Sequence, residues 1–387
     1  MTGTRACRVA VLRITFGISL TLGACVQSSS PTNLPSITRV ASVDTATPSP
    51  LPPAATARLT SAITPPLTAA PARTPSALKP TVTAPPVVRF MAIGDVMLAR
   101  TIGDRISNEG PTVPFARLAT VLEDAELLAA NLECVIGGGG EPAPKAYTFR
   151  APAAAADALA FAGVDVVSLA NNHALDYGIE GLMGMLQRLG ERDISVVGAG
   201  AGESAAREAV ILTRNGLRVA FLAYVDVPVE SRTGFDTRSW IASAGTPGVA
   251  WADLDHISAD VASARTRADV VVVMFHFGLE GRAQITAAQR AQARAAIDAG
   301  AALVLGTHPH VLQPTELYHG GFIAYSLGNF VFDGFTLPEN YSAIFTAMLT
   351  REGVKEYAWI PIVIEDGLPR LAAPDEAPVV LARVRPF

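Results

Sequence analysis

Val164-Asp165-Val166-Val167-Ser168-Leu169-Ala170-Asn171-Asn172-His173, residues 164–173, reads as a buried strand that stops at three side chains able to bind a ligand. A run of branched and apolar residues with little polarity between them marks a strand covered on both faces. The pattern recurs along the chain. Residues 90–93 lead into Gly94-Asp95, and 127–130 into Asn131-Leu132-Glu133. Residues 270–275 lead into His276, 302–306 into His308-Pro309-His310, and 322–326 into Leu327-Gly328-Asn329. In open α/β sheets, ligands collect beyond the carboxyl ends of the strands, so motifs distant in sequence can meet there.

The segments between these runs have helical patterns, at 152–162, 179–189, 253–267 and 284–299. Further strands are expected at 87–93, 126–131, 194–197 and 302–305. Residues 210–212 and 217–224 flank Asn215-Gly216, a hairpin turn signal. Residues 341–364 read as antiparallel strands closing a sheet. The alternation places the chain in the α/β class. From about 87 to 387 there is no Pro-rich linker and no internal repeat, and the length suffices for one sizeable core.

The N-terminus reads differently. Arg5, Arg8 and Arg13 precede an apolar or small run over 14–24 that ends Leu22-Gly23-Ala24-Cys25. Residues 1–24 therefore read as a signal peptide with a lipobox-like end, and Cys25 as a lipidation site. The run covers 11 residues, too short for a membrane span of roughly 20. Simple secretion is the alternative. In residues 26–86, 43 of 61 are Ser, Thr, Pro or Ala and none is aromatic; such a stretch cannot offset its chain entropy by burial and reads as a disordered tether, residues 25–86 in all. The expected location is the outer face of a bacterial membrane, held by lipid.

The whole chain has a formal charge of −5, which argues against a nucleic-acid partner. Cys7 and Cys25 fall in the leader and anchor, so Cys134 has no partner for an internal disulfide. It reads as a small buried residue.

Four of the 6 histidines lie in the strand-end motifs. His256 and His319 read as surface residues. Carboxylates, carboxamides and imidazoles without thiolates suit Mn, Fe, Zn or Mg. His308 and His310 are read as alternating across one strand end. Asp95 has a second reading, as the cap of a helix beginning near Met97, and Asn171 and Asn172 have one as turn residues. Asp176 and Tyr177 are expected to orient their loop or support the ligands. Glu280 is either such a support or a surface charge. Arg100 and Arg150 can each grip a carboxylate or phosphate with two hydrogen bonds, or be solvated. Asn329 is expected to fix the turn at Gly328.

Taken in order, Asp95, Asn172-His173, His276 and His308-x-His310 resemble the motif set of the calcineurin-like metallophosphoesterases. Within that superfamily, Gly94–Leu98 (GDVML), Asn131-Leu132-Glu133 and residues 171–178 (NNHALDYG) are similar to the CapA-like proteins. So are residues 276–280 (HFGLE), 306–311 (GTHPHV) and 325–333 (YSLGNFVFD). The resemblance implies a four-layer α/β/β/α sandwich with two mixed sheets. It implies Asp95, Glu133, Asn172, His276, His308 and His310 as ligands of one or two divalent ions. His173 would be the acid or electrostatic stabiliser beside the reacting group. The implied chemistry is metal-assisted hydrolysis or transfer on an anionic polymer or phosphoester. The implied setting is synthesis or export of poly-γ-glutamate capsule, beside a membrane polyglutamate synthase. A non-catalytic assembly or polymer-binding subunit on a degenerate fold is the alternative. Two positions depart from the superfamily pattern: Met97 stands where a ligating His is usual, and Glu133 where a bridging Asp is usual.

Overall fold

The apolar runs become the centres of two mixed sheets in the computed structural model, which describes residues 85–230 and 233–387. The leader, Cys25 and the tether through residue 84 lie outside the described residues. Among those described, no helix is long and apolar enough to cross a membrane.

The first sheet is built around the strand Val88–Val96. On one side lie Leu127–Leu132, Val166–Ser168 and Ser195–Val197, all parallel. On the other side Tyr341–Thr350, Gly353–Glu365 and Leu368–Leu371 add an antiparallel meander. A short strand, Asn329–Val331, pairs in parallel with the end of Val88–Val96, setting Asn329 opposite Asp95. The second sheet runs Thr315–Tyr318, Gly321–Ala324, Leu303–Thr307, Val270–Phe277, Leu217–Asp226 and Val210–Arg214. Its four inner strands are parallel and its two edges antiparallel.

Side-chain alternation stacks the layers. On Val270–Phe277, Val270, Val272 and Met274 share a core with the first sheet. Val271, Val273 and Phe275 join instead Ile257, Val261, Ala293 and Ile297 of the helices Leu254–Arg267 and Ala287–Asp298. Phe90 meets Phe221 between the sheets, ring centroids 6.1 Å apart. The helices Arg100–Glu109, Ala155–Phe161 and Gly178–Gly190 contribute Ile102, Leu159, Leu182 and Met185 to the first core. Each fully buried aliphatic side chain contributes about 1.5–3 kcal/mol. The architecture is the expected helix, sheet, sheet, helix sandwich.

Several boundaries differ from the sequence reading. Gly94-Asp95 and His276 lie inside their strands, because ladder pairing continues past the apolar run to Asp95↔Asn131 and His276↔Thr307. Asp95 caps no helix: Arg100–Glu109 begins five residues after it and follows Ala99, which makes no side-chain cap. The helix expected over 284–299 starts at Ala287, where Thr286 and Gln289 form a reciprocal capping box. Asn215 and Gly216 turn the expected hairpin with φ of 51° and 79°.

Candidate metal centre

The strand ends of both sheets meet at one place. Asp95, Glu133, Asn172, His173, His276, His308 and His310 are all buried there. The side-chain NH2 of Asn131 joins the sheets: it donates to Asp95 Oδ1 at 2.8 Å and lies 3.2 Å from His276 Nδ1. His276 Nε2 is 2.8 Å from Asn172 Oδ1. His310 Nδ1 is 3.3 Å from Asp95 Oδ2 and 2.8 Å from Asn329 Oδ1. Its Nε2 is 3.7 Å from Glu133 Oε1.

The two histidines of 308–310 do not alternate across a strand, because the strand ends at Thr307. His308 and His310 take φ of 93° and 57° on either side of Pro309. Non-glycine residues pay for the left-handed region, and such strain persists only where the surroundings enforce it. The turn brings the His308 ring within 4.8 Å of His276, centroid to centroid. Gly94 permits the neighbouring approach. A Cβ there would sit 1.9 Å from the Gly328 carbonyl oxygen, which accepts the Asp95 N–H at 2.9 Å.

Two groups could each hold a cation: Asp95, Glu133 and His276, and Glu280, His308 and His310, with ligand atoms inside each group within 4.8 Å of one another. The fit rests on two atoms. Glu133 Oε1 and His308 Nδ1 are buried with no hydrogen-bond partner. Unpartnered buried polar atoms are costly, and both face a donor set of the type that divalent ions take. Burial, then the nearby Asp95 carboxylate, holds the Glu133 carboxyl well above the usual range. Burial and the neighbouring imidazoles push His276 and His308 well below theirs. The neutral imidazole is the form that ligates. At His310 burial is outweighed by the hydrogen bond and charge of Asp95, and the net shift is upward.

His173 lies at the edge of the cluster, its Nε2 4.0 Å from Glu133 Oε1. Its Nδ1 is 2.7 Å from Asp176 Oδ2, and Phe149 stacks on the ring at 4.2 Å. Burial lowers its pKa, partly offset by Asp176. Above it a cavity of about 180 Å³ is lined by Arg100, Phe149, Glu280, His310, Phe332 and Phe335, among others. Arg100 pairs with Asp333 and lies 4.9 Å over the Phe149 ring.

Other expected residues lie elsewhere. Arg150 does not line this cavity: it donates to the carbonyls of Gly139 and Gly140 at 2.7 and 2.8 Å and covers the Tyr177 ring at 3.6 Å. Arg150 and Tyr177 thus brace the glycine run beside the site. Met97 is buried, and its sulfur accepts the Ala99 N–H at 3.2 Å. Asn131, Lys145 and Glu230 were not singled out from the sequence. Asn131 carried a signal, since it stands in a strand-end motif; Lys145 and Glu230 lie in irregular segments without one.

The sequence profile of the bacterial capsule synthesis protein PGA_cap family matches residues 89–334. The chain belongs to this family. Two PGA_cap relatives are the PGA biosynthesis protein CapA of Bacillus subtilis, 33% identical over 72% of each chain, and the capsule biosynthesis protein CapA of Bacillus anthracis, 32% identical over 72% of this chain and 68% of its own. A solved phosphatase structure from Mycoplasma pneumoniae aligns over 72% of this chain and 95% of its own, at 14% identity and a TM-score of 0.45.

Proposed function

We propose that this PGA_cap protein is a metal-dependent hydrolase or transferase, acting on an anionic polymer or phosphoester during synthesis or export of poly-γ-glutamate. The observation that carries the reading is the pair of orphaned atoms, Glu133 Oε1 and His308 Nδ1, within a buried cluster of carboxylates and imidazoles. A divalent ion (Mn, Fe, Zn or Mg, one or two per chain) supplies Lewis-acid charge stabilisation and an acidified water when bound. Asp95 and Glu133 provide the compensating negative charge. His173 gives its Nδ1–H to Asp176, so Nε2 is the nitrogen that can take a proton from the attacking water and then, as imidazolium, pass it to a leaving atom. Phe149, Phe332 and Phe335 give the cavity an aromatic wall, and Arg100, paired with Asp333, adds a guanidinium to it. The basic leader ending at Cys25 supports a lipid anchor outside the cytoplasm, with the tether holding the domain off the surface.

Elemental analysis of the purified protein tests the reading, together with turnover of a phosphoester panel and of γ-glutamyl polymers. Stoichiometric metal is expected, and His173→Asn should lower turnover by about 10²–10⁴-fold with the metal retained. Metal at background level after Mn or Zn loading would sink it. Met97 favours a second reading: with its thioether turned to the backbone, one ligand of the superfamily's first motif is missing. A polymer-holding subunit beside a membrane synthase would then keep capsule output when His308 and His310 are replaced, and lose it when Cys25 is.

A further inference from the structure

Lys145 lies in the loop between the short strands Val135–Ile136 and Arg150–Ala151, and its side chain is completely buried. Its ammonium is 2.8 Å from Asp176 Oδ1 and 2.5 Å from Glu230 Oε1. It also donates to the Asn172 carbonyl oxygen at 2.5 Å and lies 5.0 Å over the Trp240 ring. Both carboxylates also reach a residue of the candidate centre, Asp176 with its other oxygen and Glu230 with the same Oε1. Asp176 Oδ2 holds His173 Nδ1, and Glu230 Oε1 takes the Asn172 NH2 at 3.1 Å.

We propose that Lys145 is a positioning residue: by clamping Asp176 and Glu230 it decides which atoms of His173 and Asn172 face the centre. The inference rests on the metal-dependent reading above and deepens it. An imidazole has two nitrogens and a carboxamide has one oxygen and one nitrogen, and in each pair only one atom is useful to a cation or a leaving group. Asp176 Oδ2 lies 2.7 Å from His173 Nδ1 and the Lys145 ammonium 3.4 Å from the same nitrogen, so the nitrogen turned to the centre is Nε2. With Glu230 holding the NH2 of Asn172, the atom left for the centre is the carbonyl oxygen, which meets His276. Without the ammonium, Asp176 Oδ1 and Glu230 Oε1 would lose their shared counter-charge, leaving Asp176 held by the Phe149 N–H at 2.7 Å and by His173 alone. A buried ion trio is poor at stabilising a fold compared with packed apolar residues. Its geometry here serves the orientation of two other side chains.

The test uses the full chain, metal-free, with ¹⁵N-labelled histidine. Two-bond ¹⁵N–¹H spectra report the tautomer of each ring, and His173→Asn assigns the His173 signal. In the native protein His173 should be a single Nδ1–H tautomer. In Lys145→Met it should become a mixture, and Mn binding followed by free-ion EPR should weaken about tenfold. Lys145→Arg should restore the single tautomer at least in part. Should Lys145→Met not fold, Lys145→Met/Glu230→Gln removes one charge of each sign and gives the same tautomer reading. A single unchanged Nδ1–H tautomer in both Met variants overturns the proposal. Failure of the native protein to bind Mn would instead sink the metal-dependent reading and leave the tautomer result to judge Lys145.

Discussion

At the scale of single residues, Glu133 sets stability against chemistry. Its Oε1 is buried without a partner and its carboxyl is held well above the ordinary range, first by burial and then by Asp95. Glu133→Gln should therefore raise the stability of the metal-free protein near neutral pH by about 1 kcal/mol, because an amide does not bear the cost of ionising a buried carboxyl beside Asp95. The same change should abolish the rise in melting temperature on adding Mn, and calorimetry with and without the ion checks both arms. Asp95, His276, His308 and His310 were legible in the sequence because each interrupts or ends an apolar run, where a polar side chain has little structural excuse. Lys145 was not. It stands among Pro, Ala and Glu residues with no period to reveal burial, and only the fold shows that two distant carboxylates, at 176 and 230, close over it. Arg150 fails the other way: a cation near the site in sequence is spent on two carbonyls and an aromatic ring.

At the scale of elements, the strands carry the site and the glycines let them approach. Gly94→Ala would drive a methyl group to within 1.9 Å of the Gly328 carbonyl. Backbone cannot step aside as a side-chain tip can, so a loss of about 3 kcal/mol is expected by urea denaturation. Thr286→Ala is a milder test on the other face of the molecule. It removes the cap of Ala287–Asp298 and should cost about 1 kcal/mol while leaving metal binding unchanged. Strand positions were readable because buried parallel strands are continuous apolar runs. The helix Arg100–Glu109 was not, since only Ile102 and Ile106 are apolar at helical spacing within a polar decapeptide. The departure of the 308–310 turn from a strand was equally hidden, because nothing in His-Pro-His announces a left-handed backbone.

For the whole molecule, the buried imidazoles set a dependence on pH. His276 and His308 have folded pKa values pushed well below the ordinary one. Between about 6.5, where an unfolded imidazole takes its proton, and those lower values, only the unfolded chain gains charge. Stability contributed by the neutral rings is therefore present above that window and lost as pH falls through it. Glu133, with its pKa raised, works in the opposite direction over an overlapping range. The expected result is that metal-free Glu133→Gln loses melting temperature from pH 7 to pH 5 more steeply than the native protein. Adding His308→Gln should flatten that slope. A slope indifferent to both changes would contradict the assignment of neutral buried rings.

The strand Val88–Val96 is the first of the described strands, yet it pairs with Tyr341–Thr350 and with Asn329–Val331 from the far end of the chain. No early stretch of the chain can finish the first sheet, since two of the three strands that pair with its central strand lie beyond residue 328. Loops that long are slow to close, so the ligand pocket is among the last features to assemble. Under the proposed anchoring outside the cytoplasm, the histidines would cross the membrane still apart and meet a cation only on the far side.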